Sequence, residues 1–162
     1  MAIHKLDLGE FDEIDYYLFA IHTSLEDYRL AFFINQKLPV NLSKSENEIQ
    51  ITIKEGQTNF SRFYYNVQES SISWNLIQNK NEVLQFNKGI THNLFSNVTV
   101  EVATKVFLLP EFKKVDYFLK IEKNNDAMDI SKIQLLLNTI DSISAVYIVE
   151  TNKIKSKNNL IF

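Results

Sequence analysis

Apolar positions along the chain follow two periods, and the period decides the element. Residues Ile14 to Ile21 (IDYYLFAI) are apolar at nearly every position and rich in aromatic and β-branched types, which predicts a central strand covered on both faces. Ser24-Leu25-Glu26-Asp27 reads as a helix start, with Ser24 placed to accept from the Asp27 backbone N–H and the acids at the positive end of the dipole. The helix is predicted to run to about Lys37 and to stop before Pro39, since the residue before proline resists the helical region. Leu25, Tyr28, Leu30, Ala31, Phe32, Phe33 and Ile34 surround most of its circumference, so it is expected to be largely buried.

The middle of the chain changes to period two. Ile49, Ile51 and Ile53 alternate with Gln50, Thr52 and Lys54, and strands are predicted again at Phe60 to Val67 and Ile72 to Ile77. The polar stretch from Asn79 to Asn97 reads as loop with a short strand near Val83 to Phe86. Val98, Val100 and Val102 open a further strand that runs irregularly towards Leu109.

The last third is predicted as strand, helix, strand. Val115 to Glu122 (VDYFLKIE) is a strand, and Asp126 or Asp129 caps a helix whose stripe is Ile130, Ile133, Leu137 and Ile140. Ile143 to Glu150 is the returning strand. No Gly/Ser or Pro linker divides the chain, so residues 1–162 are read as a single α+β domain, a mostly antiparallel sheet with two main helices. FDEIDYYL (Phe11 to Leu18) and FKKVDYFL (Phe112 to Leu119) align without gaps, each ahead of an apolar helix. This echo suggests two strand–helix units on a shared sheet with the meander inserted between them, against the plainer reading that Tyr- and Phe-rich strands resemble one another.

Composition removes several function classes. The chain of 162 residues has no cysteine, which excludes a disulfide scaffold, a thiol nucleophile and Cys-ligated metal. Gly9, Gly56 and Gly89 are too few and too scattered for a phosphate loop. The net charge of −3 recruits neither nucleic acid nor an anionic membrane. No window approaches a membrane span and no signal-like start is visible, so the cytoplasm is the expected compartment. Counts of 18 Ile, 17 Asn and 15 Lys against two Arg follow AT-rich codons, which discounts Asn and Lys richness as a functional signal.

Candidate chemistry is sparse. His4, His22 and His92 share no ligand spacing, so neither metal nor other cofactor is expected, and His22 reads as a residue at the core edge. No nucleophile motif is present. Arg29 stands out, because an Arg on a nearly all-apolar helix of a Lys-preferring chain suggests a use for its planar fork. It is expected to be mostly buried and bonded to Asp15, Glu111 or Asp116, as a structural ion pair or as part of an anion site. Asp15 and Asp116 open strands, where acceptance from nearby backbone donors is the plainer role. Trp74, Phe60, Phe63, Tyr64 and Tyr65 read as core, with base stacking as the alternative. Lys153, Lys155 and Lys157 form a weak basic run. The apolar end Leu160-Ile161-Phe162 is predicted to fold back and dock Ile161 or Phe162 near the strand of Asp116 and Tyr117, or else to dock on a partner.

Leu109-Pro110-Glu111-Phe112-Lys113-Lys114-Val115-Asp116-Tyr117 resembles the I-P-E-x-x-x-V-D-Y signature of a family of small Bacteroidetes proteins, with Leu109 in place of Ile. Two further blocks are similar to that family: Leu25-Glu26-Asp27-Tyr28-Arg29-Leu30, and the end from Lys155 to Phe162. The resemblance implies no catalytic residues. It marks Asp27, Tyr28, Arg29, Glu111, Asp116, Tyr117, Lys155, Lys157 and Phe162 as motif positions, binding or structural. The expectation is a non-catalytic binding or adaptor protein with an unidentified protein partner, a second copy included. The alternatives are an anion-binding protein or enzyme with a pocket around Arg29, and an RNA-associated factor.

Overall fold

The computed structural model describes residues 16–88, 99–123 and 128–162. His4, Gly9, the Phe11–Asp15 half of the echo, Gly89, His92 and the alternative cap Asp126 lie outside the described residues.

The apolar run near the start forms β1 (Tyr16–Thr23), and α1 (Asp27–Lys37) follows. The meander is β2 (Ser43–Lys44), β3 (Ile49–Ile53), β4 (Gly56–Phe60), β5 (Arg62–Asn66) and β6 (Ser73–Gln78). A long ribbon, β7 (Lys80–Lys88) and β8 (Thr99–Phe107), precedes β9 (Tyr117–Glu122), α2 (Ile130–Asn138) and β10 (Ile143–Ile148). The main sheet has six strands in the order β10-β1-β9-β6-β5-β2, each neighbouring pair antiparallel. Both β9 and β10 run against β1, so they are parallel to each other, and the crossover between them carries α2. The fold is α+β, and no described helix is long and apolar enough to cross a membrane.

Strand alternation sends two sets of side chains to two layers. Phe19 and Ile21 of β1 and Tyr117, Leu119 and Ile121 of β9 meet Leu30, Ala31 and Ile34 of α1 and Ile133 and Leu137 of α2. Tyr16, Leu18 and Ala20 of β1 and Phe118 of β9 face the other way, onto Phe60, Val83, Val106, Leu108, Leu109 and Leu160. The central strands are therefore covered on both faces, as the continuous apolar run predicts. The echo supplies a shared architecture, since each strand leads into a helix on the same layer. Its aligned residues nevertheless do opposite jobs: Tyr16 and Leu18 face away from the helices, whereas Tyr117 and Leu119 face towards them.

Several expectations need correction. Helix α1 begins at Asp27, with Glu26 as N-cap and no side-chain capping bond. Ser24 is exposed, and it is Thr23 whose hydroxyl accepts from the Leu25 N–H, at 3.1 Å. The helix is half-buried rather than largely buried, because Tyr28 and Phe32 turn to solvent. The Phe60–Val67 strand is split, with Phe60 closing β4 and Arg62 opening β5. Gly56 permits the β3–β4 hairpin: its φ of +148° disfavours side chains, and an added Cβ would meet Val83 Cγ1 at 2.9 Å. The predicted short strand near Val83 is nine-residue β7, whose backbone pairs with β8 while Asn81 and Gln85 donate to Asn59 O and Glu55 O of the β3–β4 hairpin. On α2, Asp129 is the cap, accepting from the Lys132 N–H at 3.0 Å.

Candidate functional site

The signature segment is a structural junction. After β8, Leu108 and Leu109 are fully buried and Pro110–Phe112 makes one 3-10 turn, with proline at its start where a missing N–H is tolerated. Asn79, fully buried between β6 and β7, holds this turn from inside. Its side-chain amide donates to Phe112 O at 2.9 Å and Val115 O at 2.8 Å, and its side-chain oxygen accepts from Leu109 N at 2.9 Å. Its backbone donates to Asp116 O and accepts from Leu108 N, both at 2.9 Å.

The motif acids are committed to neighbours. Glu111 Oε1 accepts from the backbone N–H of Lys155 at 2.7 Å and Ser156 at 2.8 Å, and Oε2 from the Ser156 hydroxyl at 3.0 Å. Partial burial would raise its pKa, but these bonds outweigh it and hold the carboxyl below its ordinary range. Asp116 Oδ2 accepts from Thr23 N at 2.9 Å and Oδ1 from Lys80 Nζ at 2.6 Å. The backbone-acceptor role expected of Asp116 is thus the observed one. Tyr117 donates its hydroxyl to Leu25 O at 2.9 Å, and burial, with Asp27 and Asp116 nearby, pushes its pKa up to about 12.

Arg29 does not join these groups. It lies exposed on α1, Glu111 faces the tail and Asp116 pairs with Lys80, so the expected buried ion pair is not formed. The reason is helical phase: Leu30, Ala31 and Ile34 take the inward side, leaving Arg29 with Tyr28 and Phe32 outside. Asp27 of the same block meets Lys44 Nζ at 3.3 Å, and Lys44 also reaches Glu48 at 3.3 Å. Burial works against the charged form of Asp27, yet the Tyr28 N–H bond together with Lys44 lowers its pKa.

The buried cation is Lys120, which the sequence reading passed over. Only 5% exposed, it stands mid-strand in β9 on the face away from the helices. Its ammonium donates to Glu122 Oε1 and, at 2.8 Å, to Leu160 O. It lies 5.0 Å from the ring centres of both Tyr16 and Phe162. Arg62 donates Nε to Asn75 at 2.9 Å and stacks its guanidinium 4.5 Å from the Phe162 ring centre. The tail does fold back onto the strand carrying Tyr117, but the docked residue is Leu160, fully buried, while Ile161 is exposed and Phe162 is half covered by the two cations. A signal for Lys120 was present: it is the one charged residue inside the otherwise apolar run Tyr117 to Ile121 of a predicted strand. No comparable signal marked Asn79 among 17 asparagines.

Of the strand aromatics, Trp74, Phe60 and Phe63 are buried and Tyr64 is exposed, so no stacking platform is displayed. His22 meets the Tyr147 hydroxyl at 3.3 Å with stacked rings. Among the described residues no three His, Asp or Glu gather as a metal site. Exposed apolar side chains lie on α1, α2, β10 and the tail, and four more on the ribbon. Leu84 (52% exposed) and Phe86 (68%) stand on one face, and Val100 and Val102 are exposed on the other. At the ribbon's base a groove of about 590 Å³ runs between Lys80, Glu82, Leu84, Lys105, Phe107 and Lys113. No family model, curated protein or solved structure matches the chain.

Proposed function

We propose that this chain is a non-catalytic binding protein of the cytoplasm whose interaction element is the β7–β8 ribbon. Membership of the family that the three motif blocks resemble is part of this reading. The observation that carries it is the exposed pair Leu84 and Phe86 on one ribbon face, uncovered by any described residue. The signature carboxylates support it too, since Glu111 and Asp116 are occupied in holding the tail and the start of β9.

The partner this face fits is a second copy of the chain. Residues opposite each other in an antiparallel ladder share a face. Glu82 opposes Lys105, Leu84 opposes Ala103 and Phe86 opposes Glu101. The face therefore carries an apolar centre with charges of both signs around it. A two-fold contact needs such self-complementarity, Lys105 of each copy meeting an acid of the other. Light scattering across a concentration series tests this: the wild type is expected to dimerise, and Phe86→Lys to be monomeric, still unfolding cooperatively but with a melting temperature that no longer rises with concentration. A wild type that stays monomeric removes the second copy as partner. A Phe86→Lys dimer removes the ribbon as the interface.

A further inference from the structure

The groove at the base of the ribbon opens on the same face as the exposed Leu84 and Phe86. Along that face the ladder sets Glu82 level with Lys105, Leu84 with Ala103 and Phe86 with Glu101. Its inner end is the groove of about 590 Å³, where Leu84 and Phe107 give apolar surface and Lys105 and Lys113 give positive charge. Its outer end carries a bare aromatic ring beside a carboxylate, Phe86 beside Glu101. On the reading that the ribbon pairs with a second copy, we propose that each copy seats Phe86 in the other copy's groove and sets Glu101 against the other copy's Lys105.

Three observations carry it. The first is register. The Phe86–Glu101 level and the Glu82–Lys105 level are separated by roughly 13 Å of strand, with the Leu84–Ala103 level midway. A two-fold axis crossing the ribbon at that middle level sets the two ribbons antiparallel and exchanges the outer levels, so one rotation makes both contacts twice. At the axis Leu84 meets Leu84 of the other copy, and Ala103, exposed and with only a methyl group, lets the two faces close. The second is charge. Among the described residues Glu101, Lys105 and Lys113 take part in no ion pair, whereas Lys80 of the same groove is held by Asp116. Glu82 is exposed where the ring enters and has room to turn aside. The third is the groove wall, where Lys113 lies 5.9 Å from the Phe107 ring centre, so an entering ring meets both an aromatic face and a cation. Parallel ribbons, with the axis along the strands, would instead set groove against groove, lysine facing lysine, and leave each Phe86 on a Glu101.

Charge reversal tests the seating. Lys105→Glu and Glu101→Lys are each expected to self-associate at least about tenfold more weakly than the wild type in light scattering, because two like-charge contacts replace two ion pairs. An equimolar mixture of the two variants should recover a dimer, seen by native mass spectrometry as the mixed species, since both contacts are again of opposite sign. Recovery on mixing also shows that each variant is folded. If the wild type dimerises and Phe86→Lys does not, but the single reversals dimerise like the wild type or their mixture stays monomeric, the seating is overturned while the ribbon stands as the interface. Rescue of Lys105→Glu by Glu82→Lys in place of Glu101→Lys overturns it as well, because Glu82 meets Lys105 of the other copy only in the parallel pairing. A monomeric wild type removes the seating and the ribbon dimer together.

Discussion

Asn79 uses both backbone groups, both side-chain protons and the side-chain oxygen inside the protein, and the signature turn is built around it. Asn79→Ala leaves Leu109 N–H, Phe112 O and Val115 O without it, at roughly 1–3 kcal/mol for each group that finds no other partner. A loss of about 3 kcal/mol corresponds to a fall of about 10 °C in melting temperature for a chain of this size. Asn79→Asp should be at least as damaging at neutral pH, since it sets a carboxylate against two carbonyls. That burial raises the new carboxyl's pKa, so the deficit should shrink on acidification, as protonation restores one donor. Calorimetry of both variants across pH checks the pair. Arg29→Ala is the contrasting case: with the side chain exposed, unfolding by urea should show a change within about 0.5 kcal/mol. These two residues also show what the sequence can reveal at this scale. The oddity of Arg29 was visible, but its meaning depended on helical phase. The importance of Asn79 was invisible, because its five partners come from a turn more than 28 positions away in the chain.

Among the elements, the tail is held by two different devices. Leu160 contributes burial, about 1.5–3 kcal/mol for a fully covered side chain, and its carbonyl receives Lys120. Glu111 contributes charge-assisted bonds to two backbone N–H groups, as an acidic residue does at a helix start. Because the folded state lowers the Glu111 pKa, its contribution is complete above the ordinary glutamate value of 4.5 and fades as pH falls through the lowered one. Glu111→Gln should therefore melt below the wild type at neutral pH, and the gap should close in acid. Melting curves at neutral and acidic pH would show this, and a gap that persists unchanged in acid would count against the clasp. The elements with a strong period were legible: β1, β3, α2 and β10 lie close to where alternation or the apolar stripe puts them. Of the ribbon, β8 was expected from its alternating valines but β7 only as a short strand near Val83, because the rest of Asn79 to Asn97 is polar and only Val83 marks the buried face of that strand. The hairpin partner β4 (GQTNF) was hidden for the same reason, having few apolar positions to count.

For the whole molecule, the consequence of strands covered on both faces is that neither layer is independent. The helix layer packs on Phe19, Ile21, Leu119 and Ile121, and the ribbon and tail layer on Leu18, Ala20 and Phe118 of the same two strands. A defect on one side should therefore reach the other through β1 and β9. Leu109→Ala is a suitable defect: Leu109 is fully buried in the ribbon and tail layer, and such truncations cost about 2–5 kcal/mol. Native-state hydrogen exchange is expected to show β1, β9 and β6 as the slowest strands in the wild type. In Leu109→Ala their protection should drop by the full loss of stability, and the amides of α2 around Ile133 and Leu137, in the opposite layer, should drop with them. The outer half of the ribbon, near Phe86 and Val100, has little burial to lose and should exchange fast in both proteins. If α2 kept its protection while the ribbon and tail layer lost theirs, the two layers would be separate cooperative units, and the shared strands would not couple them.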